Sequence, residues 1–339
     1  MVFTQKKGIV SDLSILYILK NVYTMFPPII KDAIVYANCV TMMSIGFTLV
    51  YLISRIPNFA QSTFAVLGVY CTFSMVRLLH INPYIAMPLG FVLGAALAVL
   101  VYLGVVNPLL KYGAGPILLT ISLLAIQQIF VSGIQIYADY VRNVLGVYSR
   151  GFMLRVNDFR VGEFPGVLIV STVIIVTAIV AMHMMLTRTQ FGIAMRATVE
   201  NAPLAAVLGI NIRMVSLVSW VLTGGLAGLA GTFLPLWFSS GPGSGGMLST
   251  SIFAASVVGG LSSIYGAMLG GYLISLLEVW GSYLLMSQFG LWIGAYRMLI
   301  PLTLMSIVLM YEPGGIVTII ESLRAKLRAP KRYREEEPT

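Results

Sequence analysis

The chain has 339 residues, of which 58% are hydrophobic and 10% are charged, and its formal net charge is +9. Soluble globular domains average roughly 25% charged residues, so this composition excludes a soluble globule and indicates an all-α polytopic membrane protein. The basic residues are spread over loops and the C-terminal tail, where they match anionic lipid headgroups rather than nucleic acid. Cys39 and Cys71 both lie in apolar segments, which argues against a disulfide framework or a thiolate metal site.

Eight apolar stretches are predicted to cross the bilayer, because about 20 apolar residues span its hydrocarbon core. They are residues 33–53, 56–76, 84–106, 116–138, 164–187, 215–237, 265–286 and 296–311. Residues 1–32 mix charged and apolar side chains and contain two consecutive prolines, which predicts an interfacial N-terminal segment with an amphipathic helix over 9–30. Residues 33–315 then form the transmembrane domain, and residues 316–339 form a basic tail.

Two polar loops interrupt the apolar pattern. The first, residues 139–165, has alternating side chains at 152–161 that predict a short β-hairpin. The second, residues 188–214, carries helix signals of its own: Asn201 can cap a helix, and Pro203 is suited to its first turn. Gly209 can end that helix in a left-handed conformation. A short helix outside the bilayer, tethered at both ends, is suited to pressing against another protein, although a plain connecting loop is the alternative.

Glycine clusters break the long uncharged stretch that follows. They predict a loop at 238–248, a short helix at 249–258 and a turn at 259–264. The second polar loop and the tail lie on one side of the membrane only if the chain crosses an even number of times between them. The short helix must therefore reach across or turn back, as a discontinuous or re-entrant element. The basic tail places that shared side in the cytoplasm and the N-terminus outside.

Polar or helix-breaking residues inside the predicted spans are candidates for a translocation path. Lipid cannot form hydrogen bonds with polar side chains or with the backbone groups that a helix break leaves unpaired, so both need protein or water around them. A helix that starts at a glycine break also offers N–H groups to the carboxylate of an amino acid. For the glycine breaks, the alternative is a tight turn outside the bilayer. For Glu278, the alternative is a structural hydrogen bond to a neighbouring helix. Arg297 is a possible partner of Glu278, but it would have to approach from a different helix. The candidates are Asn58, Gln61, Ser62, Gly243, Gly245, Gly259, Gly260 and Glu278.

Enzymatic chemistry finds little support in the sequence. The phosphate-binding pattern GxxxxGK[ST] does not occur, and neither do HExxH and GxSxG. His80 and His183 stand alone, with no carboxylate or cysteine at ligand spacing. We therefore expect no catalytic residue, no metal and no cofactor in this chain. Small residues four positions apart, at Gly224 and Gly228 and at Gly266 and Gly270, predict close helix packing instead.

The second polar loop carries Arg-Ala-Thr at 196–198, Glu-Asn at 200–201, Ala-Ala at 205–206 and Leu-Gly-Ile-Asn at 208–211, before a Gly/Ala-rich span. This order resembles the cytoplasmic coupling loop of permease subunits from branched-chain amino-acid ABC importers. Gly46–Tyr70 also resembles that family, and it is closer to the H-type (LivH-type) subunit than to the M type. The resemblance implies docking to an ATPase through Arg196, Thr198, Glu200, Asn201, Ala202, Pro203, Ala205 and Gly209.

The same resemblance implies a transport subunit in the plasma membrane of a prokaryote. Its partners would be ATPase subunits that bind ATP and Mg²⁺, a second permease subunit in a homodimer or heterodimer, and an extracytoplasmic substrate-binding protein. Pro203-Leu204-Ala205 stands where the family often has acidic residues, which weakens the expected charge complementarity with the ATPase. A secondary transporter or channel driven by an ion gradient, or a sugar ABC permease, is the alternative. The scarcity of ionisable residues in the spans argues against the gradient-driven reading.

Overall fold

The computed structural model describes residues 6–312, 314–319 and 322, with side chains from residue 28 onward. This part of the chain is mostly helical, which confirms the predicted all-α class. Its α-helices are α1 (Lys6–Ser54), α2 (Gln61–Phe73), α3 (Ala86–Val101), α4 (Asn107–Lys111), α5 (Pro116–Val144), α6 (Gly166–Arg188), α7 (Gln190–Glu200), α8 (Ala202–Val207), α9 (Ile212–Trp237), α10 (Ser244–Gly259), α11 (Ile264–Phe289) and α12 (Leu299–Tyr311). Most of the predicted tail, 316–339, falls outside the described residues.

Six helical segments of the described chain are long and apolar enough to cross a membrane. They are Pro28–Ser54, Pro83–Lys111, Pro116–Val144, Gly166–Arg188, Ile212–Trp237 and Ile264–Phe289. The remaining two predicted spans are shorter than expected. The span at 56–76 becomes α2, with 13 residues, extended by a π-helical turn at Ser74–Leu78, and the span at 296–311 becomes α12, also with 13 residues. The described structure therefore supports a polytopic helical protein and does not establish the predicted count of eight spans.

The glycine-rich segment folds differently from its prediction. α10 begins at Ser244 and has 16 residues, so the predicted loop at 238–248 ends earlier and the helix predicted at 249–258 is longer. Gly245 lies in the first turn of α10, where backbone N–H groups have no partner within the helix in any case and glycine costs little. The predicted turn after the helix is confirmed, because Gly260 has φ of 108° and ends α10.

The first polar loop also departs from its prediction. Two-residue strands, β1 (Arg160–Val161) and β2 (Phe164–Pro165), form the hairpin, and they lie C-terminal to most of the predicted segment 152–161. Gly162, with φ of 62°, supplies the positive φ that a two-residue hairpin loop requires. Phe152, at the start of the predicted segment, pairs with Ser240 instead.

α1 runs without a break across residue 32, where the sequence analysis separated an interfacial segment from the first span. The side chains before residue 28 lie outside the described ones, so the interfacial position of residues 1–32 stays a prediction. Near residue 32 the helix is tied to later loops. Lys31 Nζ donates to the Glu163 carbonyl oxygen at 2.7 Å, and Trp237 Nε1 donates to Asp32 Oδ1 at 2.5 Å.

The bundle has two distinct ends, which we call the α8 end and the opposite end. At the α8 end, Arg55 directly after α1 has its Nη2 3.5 Å from the Val199 carbonyl oxygen of α7. Gly260 lies so close to the segment beyond α12 that a Cβ on it would stand 2.8 Å from the Gly314 carbonyl oxygen. The opposite end holds Trp237 at the end of α9 and the start of α10. Helices α9 to α12 therefore alternate in direction, and the chain returns after α12 to the α8 end.

Close packing around α9 confirms the predicted role of the small residues. A Cβ added to Gly224 or Gly228 would overlap a carbonyl oxygen of α3, and one added to Gly231 would overlap a carbonyl oxygen of α2. Gly266 and Gly270 meet α10 in the same way. Helix backbones can approach this closely only where no side chain stands between them. Because no hydrophobic force drives helices together in lipid, such van der Waals contact between backbones stabilises the bundle instead.

Candidate functional site

The exposed helix α8 at the α8 end is built as its sequence predicts. Asn201 Oδ1 accepts a hydrogen bond from Leu204 N at 3.0 Å, so Asn201 is the N-cap. Pro203 lies in the first turn. Gly209 has φ of 85°, and its N–H donates to the Ala206 carbonyl oxygen at 3.0 Å. Both ends of this six-residue helix are thus satisfied locally, which lets it exist outside a packed core.

The two faces of α8 differ in exposure. Ala205 is 1% exposed and faces the bundle, whereas the side chains of Leu204, Val207 and Leu208 are 55%, 84% and 72% exposed. Three neighbouring apolar side chains on a capped helix form an uncovered apolar edge, which we call the α8 edge. Sequence reasoning did not single out these three residues, because it followed the family pattern rather than the helical face.

The residues predicted to dock an ATPase divide between surface and interior. Thr198 is 4% exposed, and its hydroxyl donates to the Ala194 carbonyl oxygen at 2.8 Å within α7. It lies in the interior together with Ala205. The others lie at the surface, with Ala202 half-buried: Arg196, Glu200, Asn201, Ala202, Pro203 and Gly209.

A cleft beside α7 separates this surface from the ends of α1 and α11. It has a volume of about 400 Å³ and is lined by Arg196 and Glu200 on one side and by Ser262 and Tyr265 on the other. His183 Nδ1 lies 2.7 Å from the Tyr265 hydroxyl, so this histidine has a structural partner. Within the described residues no group of three His, Cys, Asp or Glu side chains is placed to hold a metal ion.

The predicted path residues fall into separate places rather than one site. Asn58, Gln61 and Ser62 are buried together, and Gln61 Nε2 donates to the carbonyl oxygens of Met43 and Thr223 at 3.2 and 3.4 Å. The cavity beside them measures only about 10 Å³, too small for a solute. Gly245 packs near Ser62, Gly243 meets no neighbour, and Gly259 and Gly260 lie at the α8 end. Glu278 lies away from Asn58 and Gln61 but shares a cavity with Ser244, the residue between Gly243 and Gly245.

Glu278 is 3% exposed and forms a salt bridge with Arg297. Arg297 Nε lies 2.7 Å from Glu278 Oε1, which also accepts from the Tyr36 hydroxyl at 3.0 Å. Ser251 Oγ donates to Oε2 at 2.7 Å. The guanidinium carbon of Arg297 lies 4.3 Å from the centre of the Tyr36 ring. The carboxylate is thus held by groups from α1, α10 and the segment between α11 and α12.

Next to this pair lies a cavity of about 100 Å³, which we call the charged cavity. Tyr36, Glu278 and Arg297 form its polar side, together with serines at the end of α9 and the start of α10. Leu234, Phe238, Met247, Leu248 and Met298 form its apolar side. Sequence analysis found Glu278 as an acidic residue in an apolar span, but no sequence signal joined it to Tyr36 or Ser251.

Comparison with known proteins agrees with this architecture. Residues 29–309 match the family described as branched-chain amino acid transport system / permease component. The chain is 38% identical over 291 residues to the probable branched-chain amino acid transport permease protein LivH of Methanocaldococcus jannaschii, covering 86% of this chain and 92% of that protein. It is 26% identical to the high-affinity branched-chain amino acid transport system permease protein BraD of Pseudomonas aeruginosa, over 81% of this chain and 90% of that one.

The high-affinity branched-chain amino acid transport system permease protein LivH of Escherichia coli is 24% identical, over 84% of this chain and 93% of that protein. No solved structure matches the chain significantly. The family match covers most of the chain, including every helix from α2 to α11, and the similar proteins are matched over nearly their full length. This chain belongs to the family of permease components of branched-chain amino acid transport systems.

Proposed function

We propose that this chain translocates branched-chain or similar amino acids across the membrane as the permease subunit of an ABC importer, driven by ATP hydrolysis in a separate ATPase subunit. The names of its relatives support the substrate class. The observation that carries the coupling is the α8 edge. Within the described residues the three side chains of this edge stay mostly exposed, whereas a groove in a partner protein would cover them.

The proposed partners are ATPase subunits at the α8 end, a second permease subunit, and an extracytoplasmic substrate-binding protein at the opposite end. The α8 end then faces the cytoplasm of a prokaryote, with the N-terminus outside and the segment beyond α12 inside. The alternation of α9 to α12 supports this arrangement, because it brings the end of α12 to the same side as α8. Eight membrane-crossing helices, with the shorter α10 as a further discontinuous element, fit the same arrangement.

A translocation path through the buried residues Asn58, Gln61 and Ser62 requires movement. Ser249 Oγ donates to Ser62 Oγ at 2.6 Å, and Gln61 ties α2 to α1 and α9. We propose that the present arrangement is a closed one, in which Gln61 and Ser62 are held by these contacts, whereas Asn58 Oδ1 has no hydrogen-bond partner among the described residues. Displacement of α7 and α8 by the ATPase would then separate α2 from α10 and expose the polar groups to water.

The test replaces a side chain of the α8 edge with a charge, in the Val207→Lys and Leu204→Lys variants. Both side chains are exposed, so we expect normal membrane insertion, loss of the ATPase on co-purification, and loss of ATP-dependent L-leucine uptake. The matched control for ATPase co-purification is Val156→Lys, which should retain the ATPase, because Val156 is 95% exposed in the loop at the opposite end, away from the α8 edge. Normal ATP-dependent uptake by both α8 variants would refute the coupling role. Uptake by the wild-type chain that needs an ion gradient and no ATP would overturn the importer itself.

A further inference from the structure

The charged cavity combines two features that rarely lie together inside a membrane bundle. One side presents a carboxylate and a guanidinium in direct contact, and the other side is formed by aliphatic and thioether side chains and one aromatic ring. Charged residues in a membrane interior are costly and mark solute pathways. Ligand sites are typically apolar clefts with a few polar groups that fix the orientation of the ligand. The cavity has both properties.

The hydrogen bonding of the pair shows where a ligand has something to gain. Both oxygens of Glu278 are engaged, by Arg297, Tyr36 and Ser251. Arg297 is different, because its Nη2 is buried and has no hydrogen-bond partner among the residues that the structure describes. A guanidinium offers five donors in a planar fork that matches a carboxylate. Nε already binds Glu278, and Arg297 lines the cavity, so a residue of the cavity wall retains a hydrogen-bond donor.

The opposite charges of the pair restrict the kind of ligand. A ligand with only a carboxylate would bring a second negative charge beside Glu278, and a ligand with only an ammonium would stand beside the Arg297 cation. A zwitterion satisfies both, because its carboxylate can take Arg297 while its ammonium takes Glu278, and no buried charge is then left unpaired. In the absence of ligand the two residues satisfy each other, so the cavity can close without an uncompensated charge.

The apolar side restricts the ligand further. Leu234, Leu248 and Met298 offer no hydrogen bond, so they suit an aliphatic side chain and disfavour a polar one. We propose that the charged cavity is an intramembrane binding site for an aliphatic α-amino acid, with Arg297 holding its carboxylate and Glu278 its ammonium group. This inference rests on the proposed function, and it adds a selecting site within the permease itself. Tyr36 acts as a positioning residue, since its hydroxyl and its ring hold the two charges.

The experiment measures protection of a cavity residue in the purified transporter complex, without its binding protein. Met247 lines the cavity and is 51% exposed, so a Met247→Cys side chain reacts with a maleimide, whereas Cys39 and Cys71 are buried. We expect L-leucine to slow the labelling. Leucinol, which lacks the carboxylate, and 4-methylpentanoate, which lacks the ammonium, should not slow it. A Val156→Cys control in the exposed loop should label at the same rate with and without L-leucine.

In the Arg297→Gln background, the L-leucine concentration that gives half-protection should rise at least about tenfold, because a buried charge contact is lost. Met298→Phe leaves both charges in place and fills the apolar side. It should abolish protection by L-leucine but keep protection by the smaller L-alanine. Equal protection by L-leucine in Arg297→Gln and in the wild type would overturn the proposal. If Arg297→Gln fails to fold, unchanged L-leucine protection in Met298→Phe would overturn it.

ATP-dependent L-leucine uptake by the same wild-type complex, with its binding protein added, separates the two claims. Absence of uptake would count against the proposed function. Uptake together with no protection of Met247→Cys by L-leucine would support the proposed function and refute the intramembrane binding site.

Discussion

At the scale of single residues, the two members of the ion pair, Glu278 and Arg297, differ in how far they are buried. Glu278 is 3% exposed, whereas the side chain of Arg297 is 28% exposed. Loss of Arg297 leaves a carboxylate in an interior that cannot solvate it. Loss of Glu278 leaves a guanidinium that can turn toward water. A glutamine at 278 can accept from the Tyr36 hydroxyl through its oxygen and donate to Ser251 Oγ through its amide nitrogen, in place of the bond that Ser251 now donates. The two substitutions should therefore have different energetic costs.

Arg297→Gln is expected to lower the free energy of unfolding by about 2–3 kcal/mol. This is no more than the smallest loss expected when a fully buried ion pair is broken, because Arg297 is partly exposed. Glu278→Gln should cost less. The measurement is thermal unfolding of the purified chain in lipid-supplemented detergent, with the double variant Glu278→Gln/Arg297→Gln to close the cycle. The double variant should be more stable than Arg297→Gln alone. A larger loss in Glu278→Gln than in Arg297→Gln would contradict this account.

The sequence identified Glu278 as a candidate, left Arg297 open as its possible partner, and gave no signal for Tyr36 or Ser251, for a physical reason. A carboxylate within an apolar stretch is costly in lipid whatever surrounds it, so Glu278 was visible as a candidate. Its partners depend on tertiary packing: Arg297 approaches from the segment after α11, and Tyr36 lies on a helix 242 positions away in sequence. The caps of α8 were predictable because Asn201 and Gly209 act on backbone within a few positions of themselves.

At the scale of helices, α9 organises the bundle through backbone contacts. Gly228 lies between two helices, because its Cα faces α3 and its carbonyl oxygen faces Gly68 of α2. A side chain there would push α3 away from α9. Spacing of small residues predicts such packing from sequence alone, since the pattern is local, but it does not say which helix is the partner. The predicted start of α10, at residue 249, was wrong because the glycines at 245 and 246 lie in the first turn of the helix. Glycine is tolerated there, so a glycine run in the sequence does not by itself indicate a loop.

Gly228→Ala should destabilise the chain by about 3 kcal/mol or more, because the added methyl overlaps the Gly90 carbonyl oxygen and the backbone cannot yield as a flexible side chain does. The matched control is Gly133→Ala in α5, where a Cβ meets nothing within 4 Å. It should lose no stability, because alanine favours helices. Folded yield on size-exclusion chromatography and the unfolding temperature report both variants. Equal behaviour of the two would show that helices α3 and α9 do not pack as closely as described.

At the scale of the whole molecule, the direction of each helix decides which surfaces meet which partners. The apolar length rule found the long spans, and the parity argument predicted a discontinuous element at α10 that either reaches across or turns back. Neither could give the length of α2 or α12, which depends on where packing lets a helix stop rather than on composition. The result is a bundle with the α8 edge at one end and the charged cavity toward the other. Energy input and solute entry would therefore act on opposite ends.

This arrangement predicts which positions share a side of the membrane. Val156 lies in the loop at the opposite end, Val207 lies on α8, and Ile319 lies beyond α12; all three are exposed. In the proposed orientation the loop at the opposite end faces outward, so a cysteine placed at 156 should react with a membrane-impermeant maleimide in intact cells. Cysteines at 207 and 319 should react only in inverted vesicles. The native cysteines are buried and give little background. Reaction at 207 and 319 from different sides would require an odd number of crossings between α8 and the tail, which the alternation of α9 to α12 does not allow.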